Sequence, residues 1–89
     1  MVFRFEDFAD TPSAQAAFEA AFPPGSPAEP ALQALVDMGA QCKSAGVGRF
    51  VCRYAENRAI VGWCWHLALD ASAERIIERV QIGLAMTGP

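Results

Sequence analysis

The residues of this chain best suited to chemistry are a thiol and an imidazole two positions apart, in Cys64-Trp65-His66. On a strand, alternate residues share a face, so the Cys64 sulfur and the single histidine ring project together. A thiolate beside a base is the arrangement of a nucleophilic cysteine, and thiolate and imidazole are both zinc ligands. The spacing suits neither use. Zinc sites are generally built from closely spaced ligand pairs, whereas Cys42 and Cys52 stand singly and fall on different expected elements. A small buried thiol beside a lone histidine explains the same residues, because free cysteine is among the most buried residue types. No metal and no cofactor are expected, and the chain reads as non-enzymatic.

A second constellation is basic. Arg49, Arg53 and Arg58 fall on an expected hairpin, with Arg4 on the polar side of the first expected strand. A planar guanidinium fork suits carboxylate or phosphate, so these arginines form a candidate anion patch and the basis of an alternative, nucleic-acid-associated reading. The balance of charge opposes that alternative. Lys and Arg number 7 against 10 Asp and Glu, for a net charge of −3 and a pI near 4.9, whereas domains held on phosphates usually show a basic balance. Trp63 and Trp65 share a strand face and are read as core, since two indoles in a small domain are more often packed inside than displayed. Gly46-Val47-Gly48 lacks the further glycine and the lysine of the nucleotide-binding loops. The carboxylates are scattered, with no pair set for acid–base work.

Composition narrows the class further. A chain of 89 residues, 53% of them hydrophobic, is read as one folded domain, 1–89. Its longest apolar run, Ala59 to Leu69, is far short of the ~20 residues of a spanning helix. Acidic residues stand in Met1 to Asp7 where a signal peptide would be apolar, so a cytoplasmic protein is expected. An odd set of three cysteines, Cys42, Cys52 and Cys64, agrees with reduced, buried thiols.

The elements that must position these groups follow from periodicity. Met1 to Phe8 alternates as a half-buried strand, with Phe3 and Phe5 opposed to Arg4 and Glu6. Thr11-Pro12 starts a helix with a stripe of Ala14, Ala17, Phe18, Ala21 and Phe22, ended by Pro23-Pro24-Gly25. Ser26-Pro27-Ala28-Glu29 has the form of a capping box for a second helix, which carries Leu32, Leu35, Val36, Gly39 and Cys42 on one face and stops at Gly46. Arg49 to Tyr54 alternates again, Glu56-Asn57-Arg58 reads as a turn, and Ile60 to Leu69 reads as the longest strand. A two-residue turn puts Phe50 and Tyr54 on the side of Trp63 and Trp65, and a three-residue turn swaps them; the first is preferred. Ala73, Ile76, Ile77, Val80 and Leu84 then space as a last helix capped by Asp70 or Ser72. The expected fold is an α+β two-layer sandwich, a mainly antiparallel three-stranded sheet with three helices in the order β-α-α-β-β-α.

Elimination then points to a small non-enzymatic module that docks on a larger protein, as an inhibitor or adaptor of the kind bacteria and phages direct at host complexes. Ile82 and Met86 lie off the stripe of the last expected helix, with Arg75 and Arg79 one turn apart nearby. Apolar anchors rimmed by arginine are the expected contact surface, for a partner or for a homodimer. The rival readings are a small thiol- or metal-dependent enzyme using Cys64 and His66, and nucleic-acid association through Arg49, Arg53 and Arg58.

Overall fold

The computed structural model describes residues 3–87. They form two helices, α1 (Thr11–Ala21) and α2 (Ala28–Asp37), followed by four strands, β1 (Gln41–Ser44), β2 (Arg49–Arg58), β3 (Val61–Ala71) and β4 (Ile77–Thr87). The strands make one open antiparallel sheet in the order β1-β2-β3-β4. The expected three-stranded sheet with three helices is therefore corrected to four strands and two helices, in the order α-α-β-β-β-β.

The first departure is at the N-terminus. Phe3 and Phe5 are buried and Arg4 and Glu6 exposed, as the alternation requires, but Phe5–Asp7 is a single 3₁₀ turn that pairs with no strand. Aromatic packing holds the segment instead. Phe5 stacks on Trp65 with ring centroids 5.1 Å apart, and Phe3 meets Phe18 edge-on at 5.1 Å. Residues 1 and 2 of the expected strand lie outside the described residues.

Asp10, rather than Thr11, caps α1, its carboxylate accepting the Ser13 amide hydrogen at 2.8 Å. The expected capping box of α2 is not made. Ser26 donates its hydroxyl to the Pro23 carbonyl, Pro27 occupies the cap position, and Glu29 pairs with Arg75. Backbone bonds explain why: Ile77 donates to Ser26 and Ala28 donates to Arg75, both at 2.8 Å, which ties the start of α2 to the β3–β4 turn. α2 stops at Gly39, seven residues before Gly46. The Ala40 amide reaches the Leu35 carbonyl at 2.9 Å and the Gly39 amide reaches Val36 at 3.0 Å, with Gly39 at φ 104. This is a Schellman stop, with Ala40 and Leu35 as its buried apolar contact. The chain is thereby free to form β1 where helix was expected.

The β2–β3 turn is Ala59-Ile60, with Ala59 at φ 55, so β2 runs through Glu56-Asn57-Arg58. Its two residues set the register that pairs Tyr54 with Trp65 and Phe50 with Leu69. The aromatic residues therefore share the face covered by the helices.

The expected last helix is β4. Its buried residues are Ile77, Val80 and Ile82, with Leu84 half-buried. From Val80 onward the period is two; between Ile77 and Val80 it is three, because Arg79 pairs with Asp70 and Ile77 with Ala71, leaving Glu78 as a bulge. That inserted residue makes Ile77, Val80 and Leu84 imitate helical spacing. α1 packs on β4 and α2 on β1. Gln15 of α1 also finishes the edge of β4: its amide donates to the Val80 carbonyl at 2.8 Å and its oxygen accepts the Ile82 amide hydrogen at 3.1 Å. A side-chain amide here takes the place of a neighbouring strand.

Candidate functional site

Alternation sends Phe50, Cys52, Tyr54, Trp63, Trp65, Leu67 and Leu69 toward the helices, and their neighbours toward the side no helix covers. The register aligns that second set in rows. Gln41, Arg53, His66 and Gly83 form one row, and Lys43, Val51, Ala68 and Gln81 the next. Ala55, Cys64 and Ala85 form a third, and Arg49, Asp70 and Arg79 close the face at one end. Small side chains and cations are interleaved on it, the row of Arg53 and His66 lying between that of Val51 and Ala68 and that of Ala55 and Ala85. Shallow depressions run along it, one lined by Gln41, Lys43, Val51, Arg53 and His66 and another by Val51, His66, Ala68, Gln81 and Gly83.

Cys64 and His66 do share this open face, with Cys64 half-buried and His66 exposed. Arg53 reaches the Cys64 sulfur from the adjacent strand at 3.5 Å. The other two cysteines correct the expectation of three reduced thiols: Cys42 and Cys52 are directly paired across β1 and β2 and joined by a disulfide. Among the described residues no cluster of three or more His, Cys, Asp or Glu side chains is placed to hold a metal ion.

The hairpin arginines separate. Arg49 and Arg53 lie on the open face, Arg49 at 3.8 Å from Asp70. Arg58 lies on the helix side, 3.9 Å over the Trp63 ring, paired with Glu56 and donating to the carbonyls of Phe5 and Glu6 at 3.3 and 3.2 Å. It pins the N-terminal turn to the sheet. Nearby, the Arg4 hydrogen bond holds the Glu6 carboxyl below the usual carboxylate range; burial first, and Glu6 second, push the Tyr54 phenol up.

The second set of site residues separates too, because it was placed on a helix that is a strand. Ile82 is 8% exposed and belongs to the core, while Met86 on the same side is 55% exposed. Arg79 faces the opposite way, onto the open face, and Arg75 sits in the β3–β4 turn against Glu29. Lys43 and Arg79 are the open-face cations that sequence reasoning did not assign there. Placing them required β1 and β4 as strands, for which the alternation of Val80, Ile82, Leu84 and Met86 was the available signal.

No helix among the described residues is long and apolar enough to cross a membrane. Comparison with protein-family models, with curated proteins and with solved structures found no match.

Proposed function

We propose that the chain is a non-enzymatic docking module, an inhibitor or adaptor, that binds a larger protein through the open face of its sheet. The observation that supports this is the uncovered face itself. Both helices lie on one side of the sheet, and the other side displays small side chains, Val51, Ala55, Ala68, Gly83 and Ala85, interleaved with Arg53 and His66 and flanked by Lys43, Arg49 and Arg79. Small side chains allow close approach over a wide area, and arginine is enriched where protein surfaces meet. The Ile82 and Met86 patch is not carried forward as a contact surface, since Ile82 packs in the core.

A block beside His66, at the β4 end of the Arg53 row, tests the reading. A Cβ built at Gly83 meets nothing within 4 Å, so Gly83→Tyr stands a ring on the face without disturbing the core. The variant should melt like the parent chain and fail to form the stoichiometric complex that the tagged parent chain forms in its host, read by size exclusion with light scattering. A parent chain that elutes alone, or a variant that keeps the complex, overturns the proposal.

The cytoplasmic expectation rested on the acidic residues of Met1 to Asp7 and on three reduced thiols; a Cys42–Cys52 bond favours an oxidising compartment instead. One observation favours thiol chemistry as a second reading, the contact of Arg53 with Cys64 beside His66. A cationic neighbour activates a thiol, so alkylation of Cys64 faster in the folded than in the unfolded chain would replace docking with catalysis.

A further inference from the structure

The seven cations divide by face in a way that chain order hides. On the helix side each has a carboxylate: Arg4 with Glu6, Arg58 with Glu56, Arg75 with Glu29. On the open face Lys43, Arg53 and Arg79 make no ion pair among the described residues, and Arg49 makes only the long contact with Asp70, at 3.8 Å. The acidic groups on or beside this face are Asp70 and the bulged Glu78. The rest of the acidic side chains, including the exposed Asp7, Asp10, Asp37 and Glu74, lie in the helical layer and turns or, for Glu56, on the helix side of β2. A net charge of −3 is thus an average over a positive sheet face and a negative remainder.

From this polarity we infer that the open face receives an acidic protein surface, whose carboxylates pair with Lys43, Arg53 and Arg79. The inference rests on the docking reading and supplies the chemistry of the partner. Lys43 and Arg53 stand on adjacent strands and Arg79 on the far edge strand, so an acidic surface laid across the sheet can offer each a carboxylate. The negative helical layer turns away from such a partner, so the same charge division orients the encounter.

Nucleic acid fits the face less well. Three unpaired cations neutralise about three phosphates, for a salt exponent near −3, where duplex binders commonly use roughly 6–10 contacts. The ring this face offers among the described residues is the His66 imidazole; the larger platforms for a base, Phe50, Tyr54, Trp63 and Trp65, all point to the helices. Its small side chains suit instead the close approach of a protein surface, whose carboxylates can reach the cations set among them.

The test uses two probes and two sets of variants. Fluorescence anisotropy measures binding of the folded chain to a labelled peptide of alternating Glu and Ala with about 22 glutamates and to a labelled DNA duplex of about twelve base pairs and equal charge, in low salt. The peptide should bind more tightly than the duplex. The combined change Lys43→Gln, Arg53→Gln and Arg79→Gln should weaken the peptide about tenfold or more with circular dichroism unchanged. No peptide binding, equal binding by the triple variant, or tighter binding of the duplex overturns the inference. The host complex separates this failure from that of the docking reading. A complex lost in Gly83→Tyr but kept in the triple variant leaves docking standing and removes the acidic partner; loss in both, with folding intact, supports the two together.

Discussion

Reducing the Cys42–Cys52 bond tests the least anchored part of the sheet. β1 is four residues long, sits at an edge, and pairs only with β2. The bonded cysteines are ten positions apart. Closing a loop of about eleven residues removes roughly 9 cal/mol/K from the unfolded chain, or about 3 kcal/mol at 25 °C. A chain of 89 residues is expected to hold only about 4–13 kcal/mol of stability in total, so the bond is a large share of it. At roughly 4–8 °C per kcal/mol for a domain of this size, reduction should lower Tm on the order of 10–20 °C. The assay is a pair of thermal melts with and without a phosphine reductant, each accompanied by a thiol titration in denaturant. The untreated chain should show one thiol, Cys64, and the reduced chain three. Three thiols with an unchanged Tm would refute the entropic reasoning, because β1 would then be held by its ladder and by α2 alone. Three thiols in the untreated chain would refute the bond itself and restore the expectation of a reduced set.

Two further outcomes follow from the helix ends and the sheet edge. Gln15→Leu keeps the shape of the side chain but removes both hydrogen bonds to β4; at about 0.5–1.5 kcal/mol for each, the melt should fall by the equivalent of about 1–3 kcal/mol, and an identical melt would mean that water serves the edge equally well. Asp10→Ala should lower Tm at pH 7 and lose that deficit in acid. The Ser13 amide holds the Asp10 carboxyl below its ordinary value of 3.8, so its stabilisation is complete above that pH and vanishes as pH falls through the lower, folded value. A deficit that persists at pH 2 contradicts the cap.

The parts of the fold that are legible in the sequence are those where one period runs unbroken. α1 keeps its helical stripe from Ala14 to Phe18, and β2 and β3 alternate across almost their whole length, so alternation with a two-residue turn is enough to put Arg49, Arg53, Cys64 and His66 on one face. β4 fails that condition. Ile76, Ile77, Val80 and Ile82 are β-branched and favour a strand, yet the single bulged Glu78 shifts the phase and lets three of the apolar positions fall on a helical face. Local spacing cannot distinguish a bulge from a helical turn; only the pairing with Asp70 and Ala71 does, and that partner lies across a turn.

The misplaced end of α2 had wider consequences than the misread strand. Gly39 and Gly46 both have positive φ, and both follow a helix-compatible run, so composition alone ranks neither as the stop. What selects Gly39 is the pairing of Ala40 with Leu35 in the core, a tertiary contact. With the stop at Gly46, Cys42 rides on a helix, has no cysteine opposite, and counts as reduced, from which a reducing compartment follows. With the stop at Gly39, the residues after it become β1, and the hairpin register places Cys42 against Cys52. The same four residues bring Lys43 onto the open face beside Arg53. One helix end thus decides whether Cys42 can pair with Cys52 and whether Lys43 reaches the open face. Extending α2 past Gly39 by Gly39→Ala would place a methyl-bearing residue at φ 104 and test that dependence directly: the Cys42–Cys52 bond should form more slowly on oxidative refolding, whereas formation at the parent rate would show that β1 assembles independently of the helix stop.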